Sequence, residues 1–346
     1  MEIKKIYNRR NTPKYTWNYY NKKKLKRPII PNTDSCYDFI SKYIEVSEKS
    51  NTKLSEGIES LKKKDPKRLT HIVSSFFIGV WMFKQSNYIN QAITNELEKL
   101  ECFKIQKDIN EQYAYVWFMI SLFHDLGYDD EYKGDCSNNI LDSEKETLKN
   151  ILNAQSVPPD LYNKETYINY YKYRKSSELS KLLNCHGDHG IYAGIKFDKD
   201  ICVIRRRRKE QESSNLDWRD DLEELYHYVA RIILSHNIWL ITENDKNKNE
   251  YLKYHLENLI LSSKTKEYKI KFKNYPLFVF FCIIDTIEPS KSTTCYSDVD
   301  ISLNNDNDTI IITSNDNQYL EKVMELNEWL TPTIKDGNKV TIYLSN

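Results

Sequence analysis

Five stretches of this 346-residue chain end or begin an apolar run with groups that bind cations or move protons. Arg68-Leu-Thr-His71 opens Ile-Val-Ser-Ser-Phe-Phe-Ile-Gly-Val, and Trp117-Phe-Met-Ile-Ser-Leu-Phe-His124-Asp125-Leu-Gly-Tyr128 carries no charge before its imidazole and carboxylate. His186-Gly-Asp-His189-Gly-Ile-Tyr-Ala-Gly194, Ile233-Leu-Ser-His236-Asn237 and Ile283-Ile-Asp285-Thr-Ile-Glu-Pro289-Ser-Lys291 follow. A buried imidazole or carboxylate must be satisfied inside the core. Metal ligation does this, and so does a hydrogen-bonded core pair, so the His124-Asp125 dipeptide alone decides nothing. The ordered set is what points to ligands. Thiolates are not part of it: the seven cysteines, at 36, 102, 136, 185, 202, 282 and 295, contain no C-x-x-C pair and fit neither a disulfide framework nor a thiolate zinc site.

Helices have to deliver these groups. The spacing of Leu69, Ile72, Val73, Phe76, Phe77, Val80 and Trp81 predicts a helix over 67–85 with His71 beside its apolar stripe. One further helix is expected over 86–112, and a buried one over 113–127 with Gly127 as its C-cap. The small residues of His189–Gly194 suit a helix that passes close over a neighbour. Helices are also expected over 216–240, ahead of His236, over 250–262, and in the apolar Leu277–Ile284 that carries Asp285. From Asp129 to Asn184 the pattern loosens into a helical insertion flanking the site. There Tyr170-Tyr-Lys-Tyr-Arg174 is either a solvated face or a cluster that stacks a base and holds phosphate.

Taken in order, these residues resemble the H…HD…H…H…D pattern of the HD superfamily of metal-dependent phosphohydrolases, over roughly 65–295. The resemblance implies a mainly α fold, an HD-domain helical bundle, holding two divalent ions drawn from Fe, Mn, Zn, Co or Mg. His71, His124, Asp125 and Asp285 would bind the first ion. Asp125 would bridge to the second, completed by His189 and His236. His189 is preferred to His186, which is left with a supporting, substrate-facing or structural role. The segment Asp285-Thr-Ile-Glu-Pro-Ser-Lys291 is similar to Asp-x-Ile-Glu-Pro-x-Arg of the HD-type diadenosine tetraphosphate hydrolases, with Lys291 where that group has Arg. Lys291 would then meet a substrate phosphate as a point charge, whereas the residues alone also allow Glu288 and Lys291 to pair on a helix. The implied activity is hydrolysis of a nucleotide or dinucleotide phosphoester or phosphoanhydride by a metal-bridged hydroxide, with Asp125, His186 and Lys291 as catalytic candidates. Two other readings use the same ligand set: a mixed-valence di-iron oxygenase of this fold, and a nucleotide-binding sensor without turnover.

Outside the core, residues 1–64 read as a basic, aromatic arm followed by an amphipathic helix from Asp34 to about Lys63. Arg68 can meet a phosphate or a ligating carboxylate. Arg205-Arg206-Arg-Arg-Lys209 is the one concentrated basic run, either a solvated loop or a second phosphate contact. His227 and His255 stand outside the pattern and read as structural or surface groups. Residues 296–346 form a β-α-β appendage, with strands at Asp308–Thr313 and Lys339–Leu344 around a helix at Asn317–Leu330. A helical crossover permits a parallel pair there, and the unit either packs on the helical domain or mediates a homodimer. A net charge of +1 gives no reason to expect a nucleic-acid or membrane partner. With no secretion-signal core and no apolar run of about 18 residues, the chain reads as cytoplasmic. The expected partner is a phosphorylated small molecule of the nucleotide kind.

Overall fold

The computed structural model describes residues 60–61, 63, 65–103, 109–128, 142–153, 164–174, 188–210, 221–237, 252–256, 270–291, 299–304 and 308–345. The arm and most of the helix expected over 34–63 lie outside them, as do His186 and most of 250–262.

The described chain is mainly helical. Helix α1, Pro66–Gln85, starts where Asp65 accepts the Lys67 amide at 3.0 Å and Pro66 sets the first turn. The sequence predicts an apolar stripe here. Instead every residue from Leu69 to Phe83 is buried, so α1 is a central helix covered on all sides.

The stretch expected as one helix over 86–112 is broken. Ser86 caps a short α2, Asn87–Leu97, a 3-10 turn follows at Glu101–Phe103, and α3 runs from Ile109 to Phe123. The insertion contributes α4, Asp142–Asn153, and α5, Lys164–Arg174. Tyr170 and Tyr173 of α5 are buried and Lys172 is exposed, so among the described side chains of that cluster only the lysine faces solvent.

Helices α6, His189–Glu210, and α7, Asp221–Ser235, pack closely along their lengths. A Cβ on Gly194 would stand 2.8 Å from the Ala230 carbonyl oxygen and from Leu234 Cβ, so this approach requires glycine. Helix α8, Pro276–Ile287, is buried along its whole length. Its N-cap residue, Tyr275, supplies no side-chain bond. Glu96 of α2 does so from 181 positions away, accepting the Leu277 amide at 2.7 Å. Burial pushes the Glu96 carboxyl up to about 7, against the pull of that amide.

The C-terminal unit is a four-stranded antiparallel sheet in the order β1-β2-β4-β3. The strands are Val299–Asn304, Thr309–Ser314, Thr333–Asp336 and Lys339–Tyr343. Helices α9, Asn317–Met324, and α10, Leu326–Trp329, replace the single helix expected. The parallel pairing of the two predicted strands is overturned, because β2 and β4 are antiparallel. The helical crossover instead joins β2 to β3, which share a direction, and a two-residue hairpin at Gly337 (φ 57°) returns the chain to insert β4 between them. The unit packs on the helical part: Tyr319 of α9 donates its hydroxyl to the Ile287 carbonyl at 2.5 Å, and Tyr88 donates to the Leu344 carbonyl at 3.4 Å. Among the described residues no helix is long and apolar enough to cross a membrane.

Candidate metal centre

Six side chains from five places in the chain meet at the inner ends of these helices. His71 lies in the second turn of α1 and Asp285 in the last turn of α8. His124 and Asp125 fall in the turn just beyond α3, not within a helix, and His236 occupies the same position just after α7. His189 opens α6. Gly127 does not act as a left-handed cap. A Cβ there would lie 2.0 Å from the His189 carbonyl oxygen, so glycine is needed where the His124-Asp125 turn meets the start of α6.

The six fall into two groups, His71, His124 and Asp285, and Asp125, His189 and His236. Within each group the candidate ligand atoms lie within 4.8 Å of one another, and all six residues are buried. In the first group His71 Nε2 stands 3.2 Å from His124 Nε2 and 2.8 Å from Asp285 Oδ1, with His124 Nε2 3.3 Å from that oxygen. Donors about 2.1 Å from a shared ion stand about 3.0 Å apart at a right angle and about 3.4 Å apart at the tetrahedral angle. In the second group the two Nε2 atoms of His189 and His236 are 3.3 Å apart, and His189 Nε2 is 3.7 Å from Asp125 Oδ1. That oxygen is also 3.2 Å from His124 Nε2, so Asp125 faces both groups.

Hydrogen bonds fix which ring nitrogen is offered. His124 Nδ1 donates to the Ser121 carbonyl at 2.8 Å and His236 Nδ1 to the Ile233 carbonyl at 2.6 Å. A carbonyl only accepts, so the proton sits on Nδ1 and the Nε2 lone pair points into the cluster. Burial, and then His189, lower the His236 pKa to about 3, which keeps this ring neutral. His71 Nδ1 donates to Glu288 Oε2 at 2.6 Å, an oxygen that also accepts the Ser290 amide at 3.0 Å and the Ser290 hydroxyl. With its Nδ1 proton on Glu288, a neutral His71 turns its Nε2 lone pair toward that of His124 across 3.2 Å. A cation between them removes that repulsion. The residues fit a metal site of imidazole and carboxylate donors, which suits Fe, Mn, Zn or Co.

Around this centre the structure places groups whose role the sequence did not reveal. Asp188, buried, accepts the Gly190 amide and the Tyr170 hydroxyl, each at 2.7 Å; it caps α6 and ties the insertion to it. Asn237 donates to Asp188 Oδ1 at 3.3 Å and to His189 Nε2 at 3.0 Å. Tyr128 stacks on His189 with ring centroids 3.8 Å apart, and Arg68 Cζ lies 3.3 Å from the Tyr128 ring centroid. Two planar groups this close must take opposite faces of the ring. Arg68 Nη1 is 3.5 Å from Asp125 Oδ2, so of the two contacts open to it in the sequence the structure shows the carboxylate. Burial opposes the Arg68 charge, but Asp125 and Tyr128 outweigh it and raise its pKa.

Glu288 is a buried anchor for His71. The Lys291 backbone lies in a 3-10 turn, Pro289–Lys291, and its side chain is outside the described parts. Arg205 and Arg206 do not sit in a loop but continue α6. At 1.5 Å per residue they stand about 24 Å beyond His189 along the axis, away from the donor cluster. His227 donates from Nδ1 to Asp198 at 2.7 Å, a structural pair, and His255 is exposed. Comparison of the chain with protein-family models, curated proteins and solved structures returned no match.

Proposed function

We propose that this chain is a metal-dependent phosphohydrolase of the HD type, acting on a nucleotide-like phosphoester or phosphoanhydride. One observation carries the reading: two groups of buried imidazole and carboxylate donors lie side by side, with Asp125 facing both and one member of each, Asp285 and His189, lining the same cleft. Two bound divalent ions would polarise phosphoryl oxygens and lower the pKa of bound water toward neutrality.

The chain's own part is to aim and to shield. Glu288 and the carbonyls of Ser121 and Ile233 hold three imidazoles with Nε2 inward. Arg68 lies against Asp125 as an ion pair, Nη1 to Oδ2 3.5 Å. Apolar neighbours, Phe281 among them, flank the His124 and His236 rings and keep bulk water from their far sides. The test is a panel of nucleotides incubated with full-length protein loaded with Mn or Co, with and without oxygen. Phosphate release that is indifferent to oxygen is the expected result. A product that needs iron and oxygen would assign an oxygenase, and binding without turnover would assign a sensor.

A further inference from the structure

The cleft beside the donors has a wall that the ligand-bearing helices do not supply. It encloses about 330 Å³, and its lining joins Asp285 and His189 to Lys67 and Arg68 at the start of α1 and to Lys322 of α9. Lys322 is half-buried. Its position is fixed by a neighbour: Tyr319, three residues earlier on the same helix, donates its hydroxyl to the Ile287 carbonyl, two residues beyond Asp285. The buried face of Tyr319, Leu320 and Val323 holds α9 in place.

Volume limits the size of the ligand, and the placement of the cationic side chains sets where its charged groups can lie. Small-molecule sites run from about 300 to 1,000 Å³, so this cleft is at the small end and suits one phosphorylated compound of modest size. Three cationic side chains line it, against Asp65 and Glu325 and the donor carboxylate Asp285. A phosphate at the donor cluster accounts for the ligands. Lys67 and Lys322 lie in the same cleft outside that cluster, where a second anionic group of the same compound would meet them as point charges.

Resting on the phosphohydrolase reading, we infer that Lys322 is a specificity-determining residue that, with Lys67, selects small phosphate compounds bearing a second anionic group. The C-terminal unit is then part of the substrate site and not an appendage.

Isothermal titration of the Mn-loaded full chain with methylenediphosphonate and with methylphosphonate tests this without turnover, metal content being measured before and after. Wild type should bind the diphosphonate more tightly. Lys322→Gln should lose about tenfold for the diphosphonate, the size of one charged hydrogen bond, and keep its affinity for methylphosphonate, with Lys322→Arg restoring the difference. Unchanged diphosphonate affinity, an equal loss for both ligands, or binding of neither overturns the inference. Diphosphonate selectivity without hydrolysis of any nucleotide would sink the hydrolase reading and leave Lys322 in its role. Hydrolysis with Lys322→Gln indistinguishable from wild type would do the reverse.

Discussion

The two halves of the donor cluster are built differently. In the first, His71 and His124 are held at their outer nitrogens by Glu288 and by a backbone carbonyl, and their Nε2 atoms already stand at the spacing of ligands around one ion. In the second, His236 is held in the same way by the Ile233 carbonyl, but His189 sits in the wall of the open cleft, stacks on Tyr128, and has the Asn237 amide 3.0 Å from its Nε2. A cation entering the first half meets donors that are aimed and waiting. A cation entering the second must displace an amide. Preorganised donors lose less free energy on binding, so in the proposed dimetal centre the first ion is the tighter and the second the more exchangeable.

Asp125→Ala should remove the distinction altogether, since Asp125 faces both halves. Metal content and turnover are expected to fall to background while the circular dichroism of the helices persists, and a variant that still turns over would refute the proposed mechanism.

The next effect concerns the scaffold of the first half, because Glu96 caps the helix that delivers Asp285. In the unfolded chain this carboxyl ionises near 4.5, whereas the folded protein holds its proton to about 7. Stability from the raised value is complete below pH 4.5 and is lost as pH climbs through 7, up to about 3 kcal/mol. Glu96→Gln keeps an acceptor and does not titrate. Urea unfolding across pH 5 to 8 should show the wild type losing ground to this variant as pH rises, and parallel curves would remove the explanation.

Glu288→Gln should weaken only the tighter ion, by about 10- to 100-fold, as expected for an anchor of a ligating imidazole. Tyr128→Leu should act on the weaker ion, by less. Titrations in which both variants shift the same ion would contradict the asymmetry. Smallest of all is the effect of replacing Arg205 and Arg206 by Ser: their helix carries them about 24 Å from His189, and an unchanged Michaelis constant is expected.

The candidate ligands were legible in the sequence because each breaks an apolar run: Ile283-Ile-Asp285 and Leu122-Phe-His124-Asp125 put polar groups where a core leaves no room for unsatisfied ones. Their partners were not. Glu288 meets His71 across 217 positions, and Glu96 caps α8 across 181, and no local pattern encodes such contacts. Asp188 and Asn237 stood inside the motifs, yet a side chain that supports a ligand looks in sequence like any turn residue. The arm of the sheet fared similarly. Val299–Asn304 and Thr333–Asp336 are short strands whose identity comes from pairing with β2 and β4, so the crossover appeared to join the wrong pair. Lys322 reads as an ordinary helix cation until Tyr319 fixes α9 beside Asp285.

Anomalous diffraction from crystals of the full chain grown with Mn²⁺ bears most directly on the paired-ion centre. Two peaks are expected, one within bonding distance of His71, His124 and Asp285 and a weaker one at His189 and His236, with the Asp125 carboxylate between them. Crystals that bind manganese elsewhere, or leave both positions without density, would contradict it.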